Sequence, residues 1–242
     1  MSRRDDLVRF YGLLRELEDR LGGARRLIDC DGRMGWPDRG VYFFFEPGET
    51  RTSSGEGPRV VRVGTHALKA GSKSTLWNRL AQHRGPRAGA GNHRGSIFRS
   101  LVGRALLERE GRRCPSWGLG SSGGAAARKL GMGRAALKEA EVQLEEEVSS
   151  YIGNLTLLWL RICDEPGPES RRGFIERNSI ALLGNHAAEG CDPASPDWLG
   201  RSSDRPGVRR SGLWNQNHVD EGYDSGFLDW LGELVGAPDE RH

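Results

Sequence analysis

Arg79 and His83 stand four residues apart in the segment Leu76-Trp77-Asn78-Arg79-Leu80-Ala81-Gln82-His83. On a helix that spacing puts both side chains on one face, where they can converge on one phosphate. A guanidinium clamps phosphate and stabilises charge developing on it, and an imidazole is the side chain best matched to proton transfer near neutral pH. Upstream, Tyr42 offers a phenol that can position phosphate or take a proton from water, given a neighbouring cation, since a phenol ordinarily titrates near about 10. Spacing alone describes equally well an exposed Arg and His on a surface helix, and a tyrosine that is one more aromatic of its strand. Cations gather around this segment. From Lys69 to Arg113 the chain carries Lys69, Lys73, Arg79, Arg84, Arg87, Arg94, Arg99, Arg104, Arg109, Arg112 and Arg113 against Glu108 and Glu110. That excess suits a phosphate track, although codon bias in a chain with 35 Gly produces arginines as well.

The elements that must position these groups read as follows. A helix is expected over about 6–21, with Leu7, Phe10, Leu13, Leu14 and Leu17 at helical spacing and Gly22-Gly23 as its stop. After a turn-rich connector, Gly40-Val41-Tyr42-Phe43-Phe44-Phe45 reads as a strand buried on both faces, and Arg59-Val60-Val61-Arg62-Val63-Gly64 as a second. Ser72 or Ser74 is expected to cap the Arg79 helix, and Gly85-Pro86 ends it. Another helix is expected from Ser96, then a Gly- and Ser-rich insertion to Gly133, then a charged helix from Ala135 to Tyr151 whose Glu145-Glu146-Glu147 run reads as a solvated face. Leu155 to Ile162 is the third strand, Glu169 to Leu183 a helix carrying Glu176, and about Phe227 to Val235 a last helix.

At 242 residues and 36% hydrophobic content, the chain fits one elaborated domain rather than two. No apolar run reaches the roughly 18–20 residues of a membrane span, and no apolar core follows Met1-Ser2-Arg3-Arg4, so a cytoplasmic protein is expected. Cys30, Cys114, Cys163 and Cys191 show neither metal-site pairing nor the density of a disulfide scaffold. A net charge of +3 does not by itself indicate nucleic acid.

Two adjacent strands carrying Gly40-Val41-Tyr42 and Arg62-Val63-Gly64, followed by a helix with Arg79 and His83 and later one with Glu176, resemble the GIY-YIG nuclease core. The resemblance implies an α+β fold: a small three-stranded antiparallel sheet flanked by helices over residues 39–190, with an insertion at about 109–133. Residues 1–38 would then form an N-terminal helix and connector, and 191–242 a C-terminal extension. It also implies a metal-dependent endonuclease acting on double-stranded DNA. In that reading Tyr42, Arg79, His83, Glu176 and Asn185 are catalytic, and Glu176 is the ligand of one Mg²⁺ or Mn²⁺ ion. Asn185 takes the place of an Asn that members carry after the Glu, at shorter spacing. Arg62, His66, Lys73, Arg84, His93 and Arg94 are the candidate DNA contacts. Arg62 stands where the family has its second tyrosine; it cannot serve as a base but can bind phosphate. A catalytically inactive nucleic-acid-binding protein is therefore the alternative. Cutting both strands would call for two sites, hence a homodimer. The literal Tyr151-Ile152-Gly153 lies at the end of a charged helix and cannot be the neighbouring strand.

Overall fold

Four consecutive aromatics need cover on both sides of their strand, and the computed structural model of the chain, which describes residues 2–87, 89–184 and 190–237, provides it. The run lies in β2 (Gly40–Thr50), which pairs with β3 (Pro58–Gly64) on one side and β4 (Thr156–Arg161) on the other. A short strand β1 (Arg25–Arg26) joins outside β4. The sheet therefore has four strands in the order β1-β4-β2-β3, all antiparallel, and not three. Two residues are too few to show an alternating pattern, which is why β1 is invisible in the sequence.

Alternation along β2 sends Val41, Phe43 and Phe45 to one face and Tyr42 and Phe44 to the other. Over the first face lie α1 (Arg3–Leu21), α6 (Arg171–Leu183) and α8 (Phe227–Gly236), through Leu7, Phe10, Leu14, Ile175, Ile180, Phe227 and Leu231. Over the second lie α2 (Leu76–Arg84), α3 (Ile97–Arg109) and α5 (Arg134–Gly153), through Leu76, Leu80, Phe98, Leu101, Val148 and Ile152. Each such side chain contributes about 1.5–3 kcal/mol by leaving water.

Local chemistry sets the helix ends. Ser2 and Asp5 form a reciprocal capping box at the start of α1, and Gly22 ends it in the left-handed conformation. The cap of α2 is Thr75, whose hydroxyl accepts from Asn78 N at 3.2 Å; neither Ser72 nor Ser74 fills that position. Ser96 caps α3 as expected. The insertion is partly ordered into α4 (Gly123–Leu130), where Ala126 and Ala127 pack on Leu137. The acidic run of α5 departs from a solvated face. Glu145 is buried, accepting from His93 N at 2.7 Å and pairing with the fully buried Arg99, while Glu146 alone of the three is exposed. A buried guanidinium needs a carboxylate, and no periodicity in α5 announces one.

The C-terminal extension is built into both faces. Past α7 (Pro206–Ser211), Trp214 is fully buried among Phe98, Tyr151 and Trp198. Its backbone N donates to Val61 O at 2.7 Å, and the Asn215 amide bonds both Val63 N and Val63 O. The outer rim of β3 is thereby covered. Asp192 holds the β2–β3 turn, accepting from the backbone N of Thr52, Ser53 and Ser54 at 2.8–3.1 Å. Among the described residues no helix is long and apolar enough to cross a membrane.

Candidate active site

Tyr42 lies opposite Gly64 across the β2–β3 pair, and its ring fills the space a side chain would need there. A Cβ added at Gly64 would stand 2.3 Å from the Tyr42 oxygen, so this glycine is required for room and not for backbone conformation. The Tyr42 hydroxyl meets His83 Nε2 at 2.8 Å, delivered from the last turn of α2. On its far side His83 Nδ1 meets Ser96 Oγ at 2.7 Å. Tyr42 and His83 are both 0% exposed. Burial, with Arg79, Arg62 and Arg99 nearby, holds His83 well below the ordinary imidazole value, so the ring is neutral.

Arg62, paired with Phe44 across the strands, points to the same face as Tyr42. It is 5% exposed, donates to Trp214 O and lies 4.7 Å over the Phe98 ring, and its Nε has no partner among the described residues. Burial lowers its pKa, opposed by Tyr42 and Glu176. Arg79 is half-buried, with a 3.3 Å contact to Gln82, and its charge is felt by His83, Arg62, Glu176 and His66. Glu176 reaches this group from the opposite layer, around the end of β3. One of its oxygens accepts Thr65 N–H at 3.1 Å. Burial raises its pKa against the pull of Arg62, the Thr65 amide, His218 and Arg79. Strands β2 and β3 and helices α2 and α6 thus bring Tyr42, Arg62, Arg79, His83 and Glu176 to one end of the sheet.

His66 sits just beyond β3. Its Nε2 is 3.1 Å from Asp38 O, a pure acceptor, so Nε2 carries the hydrogen and the buried Nδ1 lone pair has no partner among the described residues. Burial pushes it down to about 4. Other candidates lie apart. Lys73 is exposed in the loop before α2, and Arg84 donates to Cys30 O while covering Trp77 at 5.1 Å. His93 is buried on Trp117, with Nδ1 on Glu145 at 2.9 Å and Nε2 accepting from Gly118 N at 3.0 Å. Arg94 is held by both oxygens of Glu141 at 2.7 Å. Asn185 lies outside the described residues. Three further residues neighbour the site: Ser96, Thr65 and His218. In the sequence Ser96 reads only as a helix cap. Thr65 acts through its backbone, which no residue type signals. His218, bonded to Glu221 at 2.8 Å, is separated from Glu176 by a long and irregular stretch of chain.

The Glu176 site suits a hard divalent cation. The carboxylate is half-buried, its second oxygen takes no hydrogen bond among the described residues, and burial disfavours its charge unless a cation stands beside it. Among the described residues no group of three or more His, Cys, Asp or Glu side chains gathers, so such an ion would have one protein carboxylate and otherwise water or phosphate.

No curated protein and no solved structure matches the chain. A family model for the GIY-YIG domain matches residues 1–240, which takes in the N-terminal helix and most of the C-terminal extension as well as the sheet. With both triplet positions side by side on β2 and β3 and this match over nearly the whole length, the chain belongs to the GIY-YIG domain family.

Proposed function

We propose that this protein is a metal-dependent endonuclease that hydrolyses phosphodiester bonds of double-stranded DNA. Nucleases of this family use divalent metal ions. The observation that carries the reading is the convergence of Tyr42, hydrogen-bonded to His83, with Arg79 and Glu176 at one end of the sheet. Glu176 would hold one Mg²⁺ or Mn²⁺ ion, which when bound supplies positive charge for the phosphoryl oxygens and the departing oxygen. Tyr42 takes a proton from the attacking water as its own hydroxyl proton passes to His83 Nε2, 2.8 Å away, and Arg79 clamps the phosphate under attack. Arg62 sits too deep for a surface contact in this state and adds positive charge beside the Tyr42 oxygen. Lys73, exposed ahead of α2, and Arg84 extend the phosphate track. Two such sites in a homodimer would cut both strands, and restriction or phage defence is the setting we favour.

One observation supports the alternative of an inactive DNA-binding protein: the Tyr42 hydroxyl is sealed, and a base must be reached by water. Incubating the purified protein with plasmid and phage DNA and Mg²⁺ or Mn²⁺ separates the two. We expect cleavage that Glu176→Ala and Arg79→Ala each reduce by a hundredfold or more. Cleavage indifferent to both substitutions would overturn the site, and binding without cleavage would favour the inactive protein.

A further inference from the structure

Strand β4 is paired along only part of its outer side. Leu155 O accepts Leu27 N–H at 2.9 Å, and β1 pairs with Thr156 and Leu157, but no described strand continues that pairing along the rest of β4. Ile162 gives its N–H to Arg39 O on the β2 side, so by the alternation of an antiparallel ladder the N–H and C=O of Trp159 point the other way. Neither Trp159 group has a hydrogen-bond partner among the described residues. They face a groove of about 930 Å³, whose floor is β4 from Trp159 onward to Cys163.

The two sides of this groove differ in chemistry. Leu160 and Ile162 belong to the sheet face covered by α1 and α8, and on that side Leu17, Leu21 and Leu234 line it. Trp159 belongs to the other face, with Tyr42, and Arg161, paired with Gly40, falls on the same side. There Trp36 stands against Trp159 at 4.5 Å between ring centroids, and the exposed Arg25, opposite Leu157, lines the groove as well. With Arg20 the groove is lined by three arginines and, among the described residues, by no Asp or Glu. We infer that the groove is a docking site for an extended segment of a partner protein in which apolar and acidic residues alternate, added to the sheet as a strand beside β4. Successive side chains of a strand point to opposite faces, so one set enters the leucine wall while the carboxylates meet the arginine side. The segment's backbone supplies the missing partners of Trp159. Nucleic acid fits less well: its phosphates are acceptors only, whereas the strand edge presents both N–H and C=O, and the leucine wall offers them nothing. Such docking does not depend on DNA cleavage.

The probe is a fluorescein-labelled peptide of about nine alternating Val and Glu residues, long enough to form one strand, titrated with the full chain and read by fluorescence anisotropy. We expect saturable binding that a peptide of the same composition, with its valines in one block, does not reproduce. Arg25→Glu, at an exposed position, should weaken binding about tenfold, because an attraction is replaced by a repulsion. In the complex, amide hydrogen exchange at Trp159 should slow by about tenfold or more, since its N–H gains a partner. Displacement of the peptide by a single-stranded oligothymidylate would give the groove to nucleic acid, and binding seen only in a chain ending at Ala237 would give it to this chain's own end. Either result overturns the proposal, as does a lack of saturable binding, indifference to Arg25→Glu, or unchanged exchange at Trp159.

Discussion

At the scale of single residues, the pair that matters most is Tyr42 and His83, and it separates chemistry from packing. Tyr42→Phe keeps the ring that fills the space over Gly64 and removes only the hydroxyl bonded to His83. Nuclease activity should fall by about 10²–10⁴-fold, while stability changes by about 1 kcal/mol. A Tyr42→Phe protein that melts near the wild-type temperature and still cuts at the wild-type rate would remove Tyr42 from the mechanism. Both residues were legible in the sequence because one sits in a recognisable triplet and the other one turn from an arginine. Ser96 was not. Its partner lies 13 residues away across a Gly-rich loop, and no local pattern reports a hydrogen bond made at that range.

At the scale of elements, burial assigned partners that periodicity did not. The three glutamates of α5 look alike in sequence, yet Glu145 alone is enclosed, between Arg99 and His93. Removing it leaves a fully buried guanidinium uncompensated, so Glu145→Ala should cost about 3–5 kcal/mol, whereas Glu146→Ala should be close to neutral. Urea unfolding of the two variants checks the contrast. Asp192 is the corresponding device for the β2–β3 turn. Its bonds to the Ser54 hydroxyl and to the backbone amides of residues 52–54 hold its carboxyl below the ordinary carboxylate range. A depressed native pKa stabilises the fold above the unfolded value of about 3.9 and is lost as pH falls through the native value. Asp192→Asn should therefore lower the melting temperature at pH 7, and the gap to wild type should close under strongly acid conditions. A gap that is constant with pH would mean that the charge is not what holds the turn. The strands and main helices could be read from hydrophobic spacing; Thr75 as the cap of α2 and β1 as a strand could not, since each depends on where the chain is led by the rest of the fold.

At the scale of the whole molecule, the sheet and its two helical layers are closed by a segment that looked peripheral in the sequence. Leu213, Trp214, Phe227, Leu228 and Leu231 are all fully buried, and their burial is worth about 10 kcal/mol, comparable to the entire net stability of a typical domain. A chain ending at residue 190 should accordingly be insoluble or lack a cooperative thermal transition; a monodisperse, cooperatively melting truncation would show that residues 1–190 stand alone. The same segment bears on how two molecules can meet. Its Trp214 and Asn215 occupy the backbone groups along the outer rim of β3, while on the opposite rim β1 pairs with Thr156 and Leu157 of β4. The β3 rim thus offers a neighbouring chain no row of open backbone groups to copy, which guards that edge against strand exchange. Two copies brought together across the β3 side would meet through side chains, so a pairing there can be strengthened or abolished by surface substitution with the strands left untouched.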